Sequence, residues 1–313
     1  MRNKLWVLCL LMIFCLVSGC GEREEIKEIA VIVKATDSDF WRRVRDGVNA
    51  AATEYNVNVT FSGPGSEEDY LTQNSLIVSA VARGADALVI SAIDYERTAD
   101  AVDAAAAAGV KIVMIDSGVD SDKPECFIGT DNPGAGRLAG ESAMSLSGNP
   151  VIGIVNCESA SENLSEREKA FREYVKEKGG KIVGEVSVAS DTESAKKGAS
   201  ELLSAHPGID VIVGFNEWTT LGIGYAIREK GLADRVSAVG FDNNLVSVGM
   251  LETGEMDVLL VQNPFAIGYL GVQSAVGLLS GGKVDSLMST ATSVITRENM
   301  FEGENQRILF RFE

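Results

Sequence analysis

Short runs of branched apolar residues recur along the chain: EIAVIVK, VNVTF, DALVIS, GVKIVMI, CFIGT, PVIGIV, GKIVGEV, DVIVGF, RVSAVGF and MDVLLV. Most of them lack strict apolar and polar alternation, the pattern of strands covered on both faces of a parallel sheet. Between them lie helical segments such as DFWRRVRDGVNAAATEY, ERTADAVDAAAAAG and EREKAFREYVKEKGG, several stopped by glycine. Repeated strand and helix of this kind predicts an α/β fold with parallel sheets. Residues 79–94, SAVARGADALVISAID, resemble residues 203–218, LSAHPGIDVIVGFNEW, each a helix end, a Gly-x-Asp or Gly-Ile-Asp turn and a strand. Two similar halves fit two similar lobes.

The polar residues that follow these runs fall into a set. Ser38 follows the first strand, Asp94 follows DALVISAI, Asp116 follows KIVMI, Asn216 follows DVIVGF, Asp242 follows SAVGF and Gln262 follows VLLV. Ligands of open α/β sheets bind beyond the carboxyl ends of the strands, so these side chains form a candidate hydrogen-bonding set. Asp and Asn there also cap the next helix. Capping does not account for the adjacent aromatics Phe40 and Trp41, which close the stretch KATDSDFW.

The ends and the composition narrow the class. Arg2 and Lys4 precede an uncharged apolar run from Leu5 to Val17, shorter than the roughly 20 residues of a membrane span and suited to a signal peptide over residues 1–19. The run ends in Val17-Ser18-Gly19-Cys20, which resembles the lipobox of bacterial lipoproteins, with Cys20 as lipid anchor and residues 20–28 as a lipidated tether. Only Cys126 and Cys157 then remain for the folded part, too few for a disulfide framework or a zinc site, and His206 is the only histidine, so no metal is expected. A net charge of −17 without a basic cluster argues against nucleic acid as a partner. About 290 residues after the leader exceed a single core and favour two lobes.

The motifs TDSDFW, GADALVISAID, GVKIVMIDS, IGTDNPGAGRLAG, EREKAF, GFNEW, VGFDNN and LLVQNPFAIG, in this order and spacing, resemble the type I periplasmic sugar-binding proteins, the ribose-binding-like receptors of ABC importers. The resemblance implies two Rossmann-like lobes with parallel sheets flanked by helices, joined by three crossing strands near Thr130, Gln262 and Ser289–Ser293. On that basis residues 29–130 with 263–290 form the N-terminal lobe and 131–262 with 291–313 the C-terminal lobe. It also implies the contact positions Ser38, Phe40, Trp41, Asp116, Arg167, Asn216, Asp242 and Gln262. Lys34 stands where a small polar residue is common in the family, and Ser117 where an Arg often follows the Asp. Asp94 joins the candidates from its strand end.

A sugar ring has C–H faces and a hydroxyl rim, so its site needs flat apolar plates and a ring of donors and acceptors. Phe40 and Trp41 are expected as plates from one lobe, with one of the two rings turned partly inward, and Phe215 or Trp218 as a plate from the other. Asp116 and Asp242 would accept hydroxyl protons, and Arg167, Asn216 and Gln262 would donate. The expected protein is a monomeric, lipid-anchored extracytoplasmic receptor. It would bind a monosaccharide or similar polyhydroxylated molecule, need no cofactor, touch the membrane only through its anchor and hand its ligand to an ABC permease. A receptor for autoinducer-2 or a sugar signal, acting with a sensor kinase, is the alternative, from the stretches TFSGPGSEED and DSDKPEC.

An NAD-dependent oxidoreductase is the rival from another class. Gly134, Gly136 and Ala139 satisfy G-x-G-x-x-A after the strand CFIGT, with Glu158 about 20 residues on. Against it, Asp131 would place a carboxylate where a pyrophosphate must sit, the leader exports the chain, and His206 alone supplies no hydride-transfer site. Pro133 is read instead as the first residue of a helix, with Gly136 and Gly140 allowing close packing.

Overall fold

The computed structural model describes residues 26–310. The expected signal peptide and the expected anchor at Cys20 lie outside the described residues.

The ten apolar runs become ten parallel strands. In the first sheet these are β1 (Glu28–Ile32), β2 (Asn58–Ser62), β3 (Ala87–Ile90), β4 (Lys111–Ile115) and β5 (Cys126–Thr130). In the second they are β6 (Val151–Cys157), β7 (Lys181–Val188), β8 (Val211–Gly214), β9 (Ser237–Phe241) and β10 (Val258–Val261). Two short late strands complete the sheets: β11 (Leu287–Thr290) pairs parallel with β5, and β12 (Ser293–Thr296) pairs antiparallel with β10. The orders are β11-β5-β4-β3-β1-β2 and β12-β10-β9-β8-β6-β7, so strands of like rank hold like places. The central strands β3, β8 and β10 are buried along their whole length, as their unbroken apolar runs require.

Helices cover both faces of each sheet. On the first these are α1 (Asp39–Tyr55), α2 (Tyr70–Ala82), α3 (Ala99–Ala107) and α9 (Pro264–Leu279). On the second they are α4 (Asn132–Leu146), α5 (Glu162–Glu177), α6 (Thr192–Ala205), α7 (Glu217–Lys230) and α8 (Leu245–Thr253), with α10 (Gly303–Leu309) near the end of the chain. Each lobe carries two apolar cores, one on each side of its sheet. Helices α1 and α9 approach so closely that a Cβ on Gly47 or Gly268 would fall 2.0–2.1 Å from a backbone oxygen of the other helix. The chain passes between the sheets after Thr130, after Val261 and after Thr290.

The resemblance between residues 79–94 and 203–218 has a structural counterpart, since β3 and β8 occupy the same place in the two sheets. Even the turn chemistry repeats. Asp86 accepts from the Glu28 N–H at the start of β1, and Asp210 accepts from the Val151 N–H at the start of β6, both at 2.8 Å.

Candidate functional site

The carboxyl ends of both sheets face one cleft, to which the N-terminal lobe brings Lys34, Ser38, Phe40, Trp41, Glu67 and Asp116. The other lobe brings Asn163, Leu164, Arg167, Asn216, Glu217, Trp218 and Asp242, and Gln262 lies at the crossing between the sheets. The cleft holds about 350 Å³ of space between its atoms.

Two aspartates anchor the arrangement. Asp116 directly follows β4 and Asp242 directly follows β9, both in the left-handed region, at φ 58° and 68°. This conformation is uncommon for residues with a side chain, though Asp tolerates it better than most. In each case the backbone N–H still bonds the neighbouring strand, to Ile128 O and to Leu260 O, both at 2.9 Å. The aspartate is thus the last paired residue before the chain turns, and its side chain faces the cleft.

Around Asp116 the charges balance. Lys34 Nζ lies 3.1 Å from its Oδ2, both side chains almost wholly buried. Ser91 Oγ donates to Oδ2 at 3.0 Å, and Asn163 Nδ2 reaches both oxygens from the other lobe at 3.2 Å. Lys34 in turn donates to Asn163 Oδ1 at 3.3 Å.

Around Asp242 they do not balance in the same way. Gln262 Nε2 donates to its Oδ1 at 2.7 Å. Arg167, fully buried, directs its own donors elsewhere: Nε to Asn132 Oδ1 at 2.9 Å, Nη1 to Phe215 O at 3.0 Å and Nη2 to Gln262 Oε1. Burial pushes the Asp242 carboxyl up to about 7, opposed by the Arg167 charge and the Gln262 hydrogen bond. Burial likewise lowers Arg167 below the usual guanidinium range, with Asp242 and Asp116 opposing. Thr130 Oγ1 donates to Gln262 Oε1 at 2.7 Å, so two crossings are tied together directly beneath the site.

The aromatic pair is set by the start of α1. Ser38 is its N-cap and accepts from the Trp41 N–H at 3.2 Å. Phe40 and Trp41 meet edge to face, with ring centroids 5.0 Å apart, and Trp41 Nε1 donates to Glu67 Oε1 at 2.8 Å. Both rings are buried and both line the cleft. Of the two opposite candidates, Trp218 lines it, whereas Phe215 is packed between Phe171 and Phe241 in the core.

Nine of the ten candidate contact residues thus come together, Asp94 being the exception. Its carboxylate caps its own turn, accepting from the N–H groups of Glu96 at 3.1 Å and Arg97 at 2.8 Å, and pairs with the Arg97 side chain. The strand ends at Ile90, and Gln73 pins the next residues by bonding Ser91 O and the Ile93 N–H. Ser91, not Asp94, is therefore the residue that reaches Asp116. Asn216 both lines the cleft and serves as N-cap of α7, accepting from the Thr219 N–H at 3.0 Å.

Sequence reasoning did not single out Glu67, Asn163 or Leu164. For Asn163 a signal existed: Asn163, Arg167 and Phe171 recur at i, i+4 on one face of a helix. Glu67 lies in the loop before α2, where no periodicity marks it, and burial raises its carboxyl above the usual range against the opposing charge of Lys34.

The glycines of G-x-G-x-x-A serve packing. Asp131 caps α4 by accepting from the Gly134 N–H at 3.0 Å, and a Cβ on Gly136 would fall 2.2 Å from Arg167 O. Close approach of α4 to α5 is what brings Arg167 into the site.

Comparison with known proteins agrees with this fold. The family model of the periplasmic binding protein domain matches residues 29–283. The D-ribose/D-allose-binding protein of Pseudomonas aeruginosa is 29% identical over 291 residues, covering 88% of this chain and 91% of its own. Among solved structures, a carbohydrate transporter solute-binding protein of Agrobacterium radiobacter in complex with D-arabinose superposes with a TM-score of 0.89 at 30% identity, covering 92% of this chain and 100% of that one. An ABC transporter solute-binding protein of Agrobacterium vitis with bound D-fucose gives 0.86 at 30%, covering 90% and 100%.

Proposed function

We propose, from the premise that this chain belongs to the type I periplasmic sugar-binding proteins, that it captures a monosaccharide between its lobes and delivers it to an ABC permease. Members of this family are binding proteins of transport systems and not enzymes, so the dinucleotide reading of Gly134, Gly136 and Ala139 falls away. The observation that carries the proposal is the pair of inward-facing aspartates at equivalent strand ends, with Arg167, Asn216 and Gln262 around them and Phe40, Trp41 and Trp218 beside them. Acceptors, donors and apolar plates from two lobes suit a small ring bearing hydroxyls. Each lobe holds part of the set, so a bound ring draws the lobes together by differential affinity for the closed form. Cys20 would carry the lipid that keeps a monomeric receptor at the outer face of the membrane.

The test is thermal unfolding of residues 21–313 against ribose, allose, arabinose, fucose, galactose, glucose and xylose, with NAD as control. A sugar at a thousandfold excess over its dissociation constant adds about 4 kcal/mol of stability, a shift of several degrees. Asp242→Ala and Arg167→Ala should abolish that shift while remaining folded. A panel without response to any sugar would refute the proposal, and full response in both variants would refute the site.

A further inference from the structure

Glu217 opens helix α7, lines the cleft and yet reaches into the opposite lobe with both of its oxygens. Oε1 accepts from the Asp39 N–H at 3.3 Å and Oε2 from the Phe40 N–H at 3.1 Å. Within its own lobe Asn244 Nδ2 donates to Oε1 at 2.8 Å, which fixes the carboxylate in place. The two N–H groups belong to the first turn of α1, where no intrahelical acceptor exists. Ser38 satisfies the Trp41 N–H there, and a residue nearly 180 positions along the chain satisfies the two before it.

The pattern recurs elsewhere along the lobe boundary. Glu162, the first residue of α5, accepts from the Gly118 N–H at 3.2 Å, just beyond Asp116. In the reverse direction Glu68, beside Glu67 in the loop before α2, accepts from the Ser190 N–H at 2.7 Å. In each case a carboxylate of one lobe grips backbone of the other.

We infer that Glu217 is a positioning residue, a latch that caps α1 from the opposite lobe and sets how long a ligand stays without choosing which ligand it is. The inference rests on the sugar-binding reading. The groups that Glu217 grips are main-chain N–H groups, which are the same whatever sugar lies in the cleft. The latch forms only when the lobes meet, so its removal acts on dissociation rather than on encounter.

Stopped-flow tryptophan fluorescence with D-ribose and D-arabinose tests this in the unaltered chain, Glu217→Ala and Glu217→Gln. Loss of charge-assisted bonds predicts dissociation about ten- to a hundredfold faster in Glu217→Ala, with association changed less than about twofold. The factor should be the same for both sugars. Glu217→Gln, which keeps the side-chain volume and one acceptor, should recover part of the loss. Unchanged dissociation, or a factor that differs between the sugars as a direct ligand contact would give, overturns the latch. Small-angle scattering at saturating sugar supplies a second arm: Glu217→Ala should keep a larger radius of gyration than the unaltered chain, and equal radii overturn the latch. If the unaltered chain binds neither sugar, it is the sugar-binding reading that has failed, and the latch falls with it.

Discussion

In the N-terminal lobe Asp116 ends β4, and in the C-terminal lobe Asp242 ends β9, each in the left-handed region and each bonded through its N–H to the third residue of the next strand. The backbones match and the surroundings differ. Asp116 has a lysine ammonium at 3.1 Å together with hydroxyl and amide donors. Asp242 has one amide at 2.7 Å and a guanidinium whose hydrogen bonds go elsewhere. A repeated fold therefore presents two carboxyls at like positions, one paired with a buried lysine and one whose pKa burial pushes up. Backbone geometry fixes where a carboxyl stands, and its neighbours fix which form it takes.

The largest effect should come from breaking the balanced side. Asp116→Ala leaves the Lys34 ammonium buried without its counter-charge, a loss of about 3–5 kcal/mol, measured by denaturant unfolding. Adding Lys34→Met should restore most of that stability, because an apolar replacement for a buried pair is often near neutral. Sugar binding should not return with it. If Asp116→Ala unfolds at the same denaturant concentration as the unaltered chain, the pair does not hold the N-terminal side together.

A smaller effect, of different form, belongs to Asp242. Its folded-state carboxyl titrates near 7, above the ordinary value of 3.8. Between about pH 4 and pH 7 the folded chain keeps a proton that the unfolded chain has released, so this group makes stability fall as pH rises through that window. Asp242→Asn removes the ionisation. Its stability relative to the unaltered chain should climb across the window, by a few kcal/mol at most, since each pK unit is worth about 1.4 kcal/mol. A difference between the two chains that stays flat from pH 4 to pH 8 would contradict the contrast with Asp116.

Most of the fold was legible in the sequence, because buried parallel strands leave long apolar runs and each of the ten runs is a strand. The short strands β11 and β12 gave no such run, being only partly buried edge strands with serine and threonine in them. The candidate site was legible where chemistry sits at or just past a strand end, as at Asp116, Asn216, Asp242 and Gln262, which line the cleft. It misled at Asp94, which lies beyond Ile90 by a turn held through Gln73, a contact that no local pattern announces. Glu67 and the latch of Glu217 depend on which loops meet across the cleft. Hydrophobic periodicity says nothing of that.

The smallest effect sharpens the contrast from the side of the aromatics. Trp41 Nε1 donates to Glu67 Oε1 at 2.8 Å, and Lys34 Nζ lies 5.9 Å from the centre of the Trp41 ring, so the lysine that neutralises Asp116 also borders this ring. Glu67→Gln keeps an oxygen for the indole N–H and should change stability by less than about 1 kcal/mol, whereas Glu67→Leu leaves the buried donor unpaired and should cost about 1–3 kcal/mol. Asp242 takes its shift from burial, with Arg167, Gln262, Glu217 and Asp116 around it, so the pH slope assigned to Asp242 should survive both substitutions. Unfolding of the two variants from pH 4 to pH 8 tests this. If either substitution abolishes the slope, the proton belongs to Glu67 rather than to Asp242, and the difference between the two aspartates would have to be redrawn around the loop before α2.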